Sequence, residues 1–139
     1  MSRHTQTPAE RFTAGMQAFS EDNPQGWLDQ CADDVVLEIP FAPPGFPHRV
    51  EGKAAVADYL RAVPSRIQFE SVAIHDVHQS VDPRTAVIEM TASGHLKDSK
   101  ARYQMSYIVV IKTDGDRISL YRDYWNPLSA IGLFEDAGQ

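Results

Sequence analysis

The last β-rich run of the chain carries one carboxylate between two aromatic side chains. Because side chains alternate along a strand, Tyr121, Asp123 and Trp125 are predicted to share one face. A carboxylate enclosed by aromatic rings loses hydration, which raises its pKa and suits it to proton transfer near neutral pH. The alternative is a solvent-facing aspartate, or one paired with Arg122 or Arg102. We predict that Asp123 is a catalytic residue.

A second group of polar side chains lies on the β-rich runs that precede Asp123. His75 is the second catalytic candidate, as a proton-transfer group beside the pocket, although a surface histidine is the alternative. His78 is an odd number of residues away, so the two rings are predicted to face opposite sides and to share no metal ion. Tyr103, Met105 and Tyr107 alternate on one face. Tyr107 is predicted to donate a hydrogen bond to a ligand, with core packing or a dimer contact as the alternatives.

An apolar ligand pocket is predicted around these groups. The segment from Pro40 to Pro47 is rich in proline and holds two phenylalanines, so it is a stiff loop that forms either the lip of a pocket or a structural plug. The predicted ligand-binding residues are Tyr121, Trp125, Tyr107, Tyr103, Met90, Trp27, Phe41 and Phe46.

Composition excludes several classes of function. The chain has 139 residues and a formal net charge of -6, which predicts one domain over 1–139, an ordered core at about 7–134 and no binding to nucleic acid. The lone Cys31 and the polar N-terminus predict a cytoplasmic protein that does not enter a membrane. The glycine-rich nucleotide fingerprint, the phosphate loop, the zinc-protease motif and the nucleophile elbow are all absent from the sequence. No cofactor and no metal ion are therefore predicted.

The secondary-structure pattern predicts an α+β fold. Thr7-Pro8-Ala9-Glu10 and Asn23-Pro24 each combine a capping residue with a proline, so a helix is predicted to begin at both places. A third helix is predicted from Gly52 to about Ala62, and a last short helix from Leu128 to Phe134 either closes the cavity or docks on a partner. Three N-terminal helices are thus predicted to pack on a curved, mainly antiparallel sheet. The predicted strands are Val35–Ile39, Ile67–Val81, Thr85–Leu96, Arg102–Lys112 and Arg117–Trp125.

Three segments of the sequence resemble a known family. They are Glu38-Ile39-Pro40-Phe41-Ala42-Pro43-Pro44-Gly45, Val50-Glu51-Gly52-Lys53 before a helix, and Tyr121-Arg122-Asp123-Tyr124-Trp125-Asn126-Pro127-Leu128. Together they resemble the SnoaL-like branch that includes the phenazine-biosynthesis A/B proteins, within the superfamily of ketosteroid isomerase and nuclear transport factor two. The resemblance implies a cone-shaped fold that encloses an apolar pocket. This superfold hosts isomerases, cyclases, hydrolases, dehydratases and proteins without catalysis, so it does not imply one reaction.

Two relatives within the superfamily bear on the candidate residues. The last strand is similar to that of limonene epoxide hydrolase, in which an aspartate at the position of Asp123 activates water. That enzyme also needs an arginine and an aspartate where this chain reads Glu89-Met90-Thr91-Ala92, so its hydrolysis is not expected here. The phenazine-type proteins carry a glutamate at the position of Asp123, and their pocket histidine falls at Glu70. Their activity is therefore not expected to carry over.

Three functions are compatible with this sequence. The first is a cofactor-free isomerase, cyclase or dehydratase in which Asp123 moves a proton on an apolar, oxygenated metabolite. The second is a binding or accessory protein that uses the same pocket without turnover, which predicts no second polar group near Asp123. The third is an interaction module that uses the outer face of the sheet. A homodimer formed through the open sheet is expected under all three.

Overall fold

The helices begin where the sequence places their capping residues. In the computed structural model, which describes residues 7–21, 23–62 and 66–129, helix α1 spans Pro8–Ser20 and helix α2 spans Pro24–Leu28. The Thr7 hydroxyl accepts the Glu10 backbone N–H at 3.1 Å, and the Glu10 carboxylate accepts the Thr7 N–H at 2.8 Å. This reciprocal capping box confirms the predicted start of α1, and the Asn23 side chain caps α2 as predicted. Helix α3 spans Lys53–Ala62.

The strands form one mixed, mainly antiparallel sheet. The strand order is β2-β1-β6-β5-β4-β3, in which β1 and β6 pair in parallel and every other pair is antiparallel. The predicted α+β fold is thereby confirmed. The strands are β1 at Cys31–Glu38, β2 at Arg49–Glu51, β3 at Ile67–Gln79, β4 at Thr85–Leu96, β5 at Arg102–Asp114 and β6 at Arg117–Tyr124.

Strand β2 was not predicted from the sequence. It is only three residues long, and Val50 pairs with Leu37 of β1 across the proline-rich loop. Three residues have no periodicity of their own, so this strand depends on a neighbouring edge. Its pairing fixes both ends of the loop at one side of the sheet.

One face of the sheet is covered by the helices and holds the core. Along β4 every second residue is buried, and the facing residues of β5 alternate in the same way. Phe12 of α1 and Val56 of α3 are completely buried against this face, together with Ile88, Val109 and Ile111. Helices α1, α2 and α3 do not cover the opposite face of the sheet.

A β-bulge at His75 interrupts the alternation of side chains along β3. His75 Nε2 lies 2.7 Å from Thr91 Oγ1, and His78 Nε2 lies 2.6 Å from Glu89 Oε2. Thr91 and Glu89 belong to the outward-facing row of β4, so both histidines lie on the outer face. The prediction that they face opposite sides is wrong, because the extra residue of the bulge reverses the alternation between them.

The last helix predicted at Leu128–Phe134 lies mostly outside the described ranges. No helix of the described residues is both long and apolar enough to span a bilayer.

Gly94 is the position where β4 tolerates no side chain. A Cβ atom at this residue would lie 2.0 Å from the backbone oxygen of Gln68 on β3. We predict that Gly94→Ala lowers the free energy of unfolding by at least about 2 kcal/mol, because the two strands must separate locally. Urea unfolding measures this change. Ser93→Ala on the outward side of the same strand is the control, and an equal effect in both variants would contradict the prediction.

Candidate functional site

The candidate site is built around Asp123 on β6. Asp123 pairs with Val109 of β5, whose side chain is completely buried on the helix-covered face. The carboxylate of Asp123 therefore points toward the helices, where it lines two adjacent cavities. We call them the helix-side cavity and the loop-side cavity.

The helix-side cavity has a volume of about 90 Å³ and lies between the three helices and the sheet. Its wall is apolar except for Asp123, tyrosine hydroxyls and one indole. The lining residues are Met16, Phe19, Trp27, Leu37, Tyr59, Leu60, Phe69, Val72, Met90, Ala92, Tyr107, Tyr121 and Asp123.

The loop-side cavity has a volume of about 70 Å³ and lies under the proline-rich loop. That loop contributes Ala42, Pro43 and Phe46 to the wall, so it forms part of a pocket. The remaining lining residues are Ile39, Tyr59, Ile67, Tyr103, Met105, Tyr107, Asp123 and Trp125.

The environment of Asp123 disfavours its charged form. Its Oδ1 atom is buried and has no hydrogen-bond partner among the described residues, and the surface that the side chain retains faces the cavities. Burial raises the pKa of Asp123 from its ordinary value of 3.8 to about 7, although a hydrogen bond from the Trp125 side chain acts in the opposite direction. Asp123 can therefore both take up and release a proton near neutral pH.

Arg122 does not neutralise Asp123. The Arg122 Nε atom lies 2.9 Å from Glu38 Oε1 on the other face of β6, and Arg49 binds the second oxygen of the same carboxylate at 2.9 Å. The surface ion-pair alternative with Arg122 is thereby excluded. Asp123 instead has tyrosine hydroxyls around it.

Four tyrosines surround Asp123 in the cavities. Burial raises the pKa of Tyr59, Tyr103, Tyr107 and Tyr121, and the negative charge of Asp123 raises each of them further. The hydroxyls of Tyr103 and Tyr107 are hydrogen-bonded to each other. The four phenols thus stay protonated at neutral pH and can donate hydrogen bonds to a ligand.

Sequence reasoning missed Tyr59 as a site residue. It lies on the inner face of α3 and lines both cavities, and its pKa responds to the charge of Asp123. The only signal in the sequence was a phenol among the apolar residues of that helix face, between Val56 and Leu60. An aromatic residue at such a position usually indicates core packing, so the hydroxyl was not recognised.

Most of the predicted ligand-binding residues lie in the two cavities. Met90, Trp27 and Tyr121 line the helix-side cavity. The loop-side cavity contains Phe46, Tyr103 and Trp125, and Tyr107 lines both cavities.

Phe41 is an exception, because it lies outside both cavities. Its side chain is 55% exposed and packs edge-on against the ring of Tyr124, with the centroids 5.5 Å apart. The loop turns Phe41 toward the outer face of the sheet, whereas Ala42 points inward. Proximity along the loop therefore did not predict orientation.

His75 and Glu70 lie outside both cavities. His75 is exposed on the outer face, so its predicted place beside the pocket is wrong, because it directly follows Ile74, which faces inward opposite Met90. Glu70 is exposed too, and its Oε1 lies 2.9 Å from His95 Nδ1. The adjacent Phe69 lines the helix-side cavity instead. The position expected from the resemblance to hold a pocket histidine therefore contributes no acid or base.

The outer face also carries a group of metal-ligating side chains. Ligand atoms of Asp76, His78 and Glu89 lie within 4.8 Å of one another. The hydrogen bond to Glu89 raises the pKa of His78, and the charge of Asp76 raises it further, so these groups satisfy one another as an ion-pair cluster. None of the three lines a cavity with Asp123.

Comparison with known proteins identifies the family. The model of the SnoaL-like domain matches residues 9–121, so this chain belongs to the SnoaL-like family. The uncharacterised protein YesE of Bacillus subtilis is 41% identical over 113 residues, which cover 81% of this chain and 77% of YesE. An uncharacterised PhzA/B-like protein of Pseudomonas aeruginosa is 33% identical over 94% of both chains. The predicted family is thus confirmed.

Solved structures show the same fold. A candidate isomerase from Bacillus subtilis superposes with a TM-score of 0.86 at 37% identity over 92% of both chains. A Δ5-3-ketosteroid isomerase from Mycobacterium sp. superposes with a TM-score of 0.77 at 19% identity, covering 89% of this chain and 97% of that one. RV0760c from Mycobacterium tuberculosis, in complex with estradiol-17beta-hemisuccinate, gives 0.76 at 20% identity, with coverages of 87% and 95%. The chain therefore has the nuclear transport factor two-like fold that these structures share.

The buried carboxylate predicts a pH-dependent stability. Because the folded state holds the Asp123 proton more tightly than the unfolded chain does, stability falls as the pH rises from about 4 to about 7. The shift from 3.8 to about 7 corresponds to roughly 4 kcal/mol at most. We predict that Asp123→Asn is more stable than the wild type at pH 8 by up to about 4 kcal/mol, and equally stable at pH 4.

Chemical denaturation at both pH values measures this difference. The control is Glu70→Gln, which neutralises an exposed carboxylate on β3 and should show no comparable gain. A stability difference between wild type and Asp123→Asn that does not change with pH would contradict the assignment of Asp123 as a buried, destabilising carboxylate.

Proposed function

We propose that this protein is a cofactor-free enzyme that transfers a proton on an apolar, oxygenated small molecule, in a reaction of the isomerase, cyclase or dehydratase type. One observation carries the proposal. Asp123 lies in an apolar cavity with phenol hydroxyls around it and with no cationic partner among the residues that the structure describes. The phenol hydroxyls are the second kind of polar group near Asp123. The enzyme hypothesis needs such a group, whereas the binding-protein hypothesis does not.

The proposed step is a proton transfer between two carbon atoms of the substrate. Ionised Asp123 takes a proton from the carbon next to a carbonyl, and the electron pair of the broken C–H bond moves into the carbonyl to give an enolate. Tyrosine hydroxyls donate hydrogen bonds to the enolate oxygen, which stabilises the charge that develops there. Where a carbon–carbon double bond is conjugated with the enolate, protonated Asp123 returns the proton to the far carbon atom of the dienolate. The double bond moves next to the re-formed carbonyl, which gives an isomer and restores the carboxylate.

The comparisons support this class of reaction without specifying the substrate. A candidate isomerase shares 37% identity and the fold, and a ketosteroid isomerase shares the fold. A neighbouring structure with a bound estradiol derivative supports an apolar ligand for the fold as a whole. The alternative is a binding or accessory protein that holds such a ligand without turnover.

Deuterium incorporation tests whether Asp123 moves protons. In D2O at pH 8, we expect the protein to exchange the α-protons of apolar ketones, with a Δ5-3-ketosteroid among the probes, as followed by NMR. Asp123→Asn removes the base, and we expect the rate to fall at least about 100-fold. Tyr59→Phe removes one oxyanion donor, so a loss of about tenfold or more is expected.

The pH profile and a control variant complete this test. A base with a pKa near 7 predicts that kcat/KM rises with pH and levels off above about pH 8. The control Glu70→Gln should keep the wild-type rate. If wild type and Asp123→Asn exchange protons equally slowly while both bind the probes, the binding-protein alternative replaces the enzyme.

The outer face of the sheet suggests a homodimer, which we propose as the functional form. Ile108 is 48% exposed there, and the 55% exposed Phe41 packs on Tyr124 beside it. Large apolar side chains grouped on an uncovered sheet face are typical of a protein interface. A second copy of the chain would cover them.

Sedimentation analysis tests the dimer. We expect the wild type to sediment as a dimer and Ile108→Arg to dissociate into monomers, because the substitution places a charge in the proposed interface. Val81→Arg is the matched control, since Val81 is fully exposed in the turn between β3 and β4. A monomeric wild type, or a dimer that Ile108→Arg leaves intact, would refute this interface.

We propose that the protein works in a reducing compartment such as the cytoplasm. Cys31 is the single cysteine and is buried at the start of β1. Burial raises the pKa of its thiol to about 12, so the reactive thiolate is scarce at neutral pH. The described fold therefore uses no disulfide and exposes no reactive thiol.

A further inference from the structure

The two cavities share a wall that carries Asp123 and two of the four tyrosine hydroxyls of the site. The residues that line both cavities are Tyr59, Tyr107 and Asp123. Beyond this wall, each cavity is lined mainly by aliphatic and aromatic side chains. The polar groups of these three shared residues thus lie between two apolar compartments, and not at the far end of a single compartment.

Neither cavity offers a positive charge. No lysine, arginine or histidine of the described residues lines either one. A ligand with a carboxylate or phosphate would lose its hydration without gaining a cationic partner, and ionised Asp123 would repel it. The site therefore favours ligands without a permanent negative charge.

The two compartments are similar in size, at about 90 Å³ and about 70 Å³. A ligand that filled only one would leave the apolar wall of the other uncovered. We propose that the site takes neutral ligands that bear an apolar group on both sides of an internal oxygen function, held at Tyr59, Tyr107 and Asp123. This inference rests on the proposed function, in which Asp123 acts on the oxygenated part of the substrate.

Each compartment contains one of the two tryptophans of the chain. Trp27 lines the helix-side cavity and not the loop-side cavity, whereas Trp125 lines the loop-side cavity and not the helix-side one. The variants Trp125→Phe and Trp27→Phe therefore each keep one fluorophore that reports on one compartment.

Benzophenone and acetophenone are matched probes for the experiment. Benzophenone carries a ring on both sides of its carbonyl, and acetophenone carries a ring on one side only. We expect benzophenone to bind at least about tenfold more tightly in calorimetry and to change the fluorescence of both single-tryptophan variants. The anionic analogue 4-benzoylbenzoate is expected to bind at least about tenfold more weakly than benzophenone.

Filling one compartment at a time gives a second measurement. Ala92→Leu narrows the helix-side cavity and Ala42→Leu the loop-side cavity, while Ala73→Leu at an exposed position of β3 is the control. Each filling variant is expected to weaken benzophenone binding about tenfold or more, and the control to leave it unchanged. If a filled variant fails to fold, as circular dichroism would show, the fluorescence experiment decides.

Several results would overturn the inference. They are a benzophenone affinity that only one filling reduces, a fluorescence response from one tryptophan alone, tight binding of 4-benzoylbenzoate, or no binding of benzophenone by the folded wild type. Benzophenone has no hydrogen on the carbon atoms next to its carbonyl, so it cannot undergo the proposed proton transfer. Its binding tests the two-compartment arrangement alone, and loss of proton exchange in Asp123→Asn tests the proposed function alone.

Discussion

The burial of one carboxylate in an apolar cavity is the constraint on which the site depends. Ionised Asp123 costs the fold up to roughly 4 kcal/mol at neutral pH, a large part of the 5–15 kcal/mol by which domains are usually stable. The cost is tolerated because β6 lies between β1 and β5 in the middle of the sheet. Turning the Asp123 side chain to solvent would break the pairing with β5, in which Asp123 lies opposite Val109.

Asp123 and the tyrosines influence one another through the same low-dielectric interior. The negative charge of Asp123 makes each phenol harder to ionise, so the phenols remain donors over the pH range in which Asp123 changes its charge. Relatives share this fold, but the wall at β3 is apolar here, with Phe69 turned inward and Glu70 turned out. The chemistry of a relative with a different wall therefore does not transfer residue by residue.

Local signals in the sequence determined much of the fold and the centre of the site. Capping residues and prolines set the starts of α1 and α2, because these signals act within one helical turn. The bounds of β4 follow from its alternating residues and its flanking turns. The alternation that predicts a common face for Tyr121, Asp123 and Trp125 is likewise local, and the structure lines the cavities with all three.

Only the tertiary structure decided what lies opposite Asp123. Tyr59 reaches it from a helix more than sixty residues away in sequence, and the bulge in β3 that turns His78 outward arises from pairing with β4. Phe41 lies outside both cavities and packs on Tyr124, because its loop is held at both ends by the β1–β2 pair. These features depend on register and packing between distant segments, and residue periodicity carries no information about either. The sequence by itself thus determined the carboxylate and its strand, whereas the packing of distant elements determined its partners, its two compartments and its raised pKa.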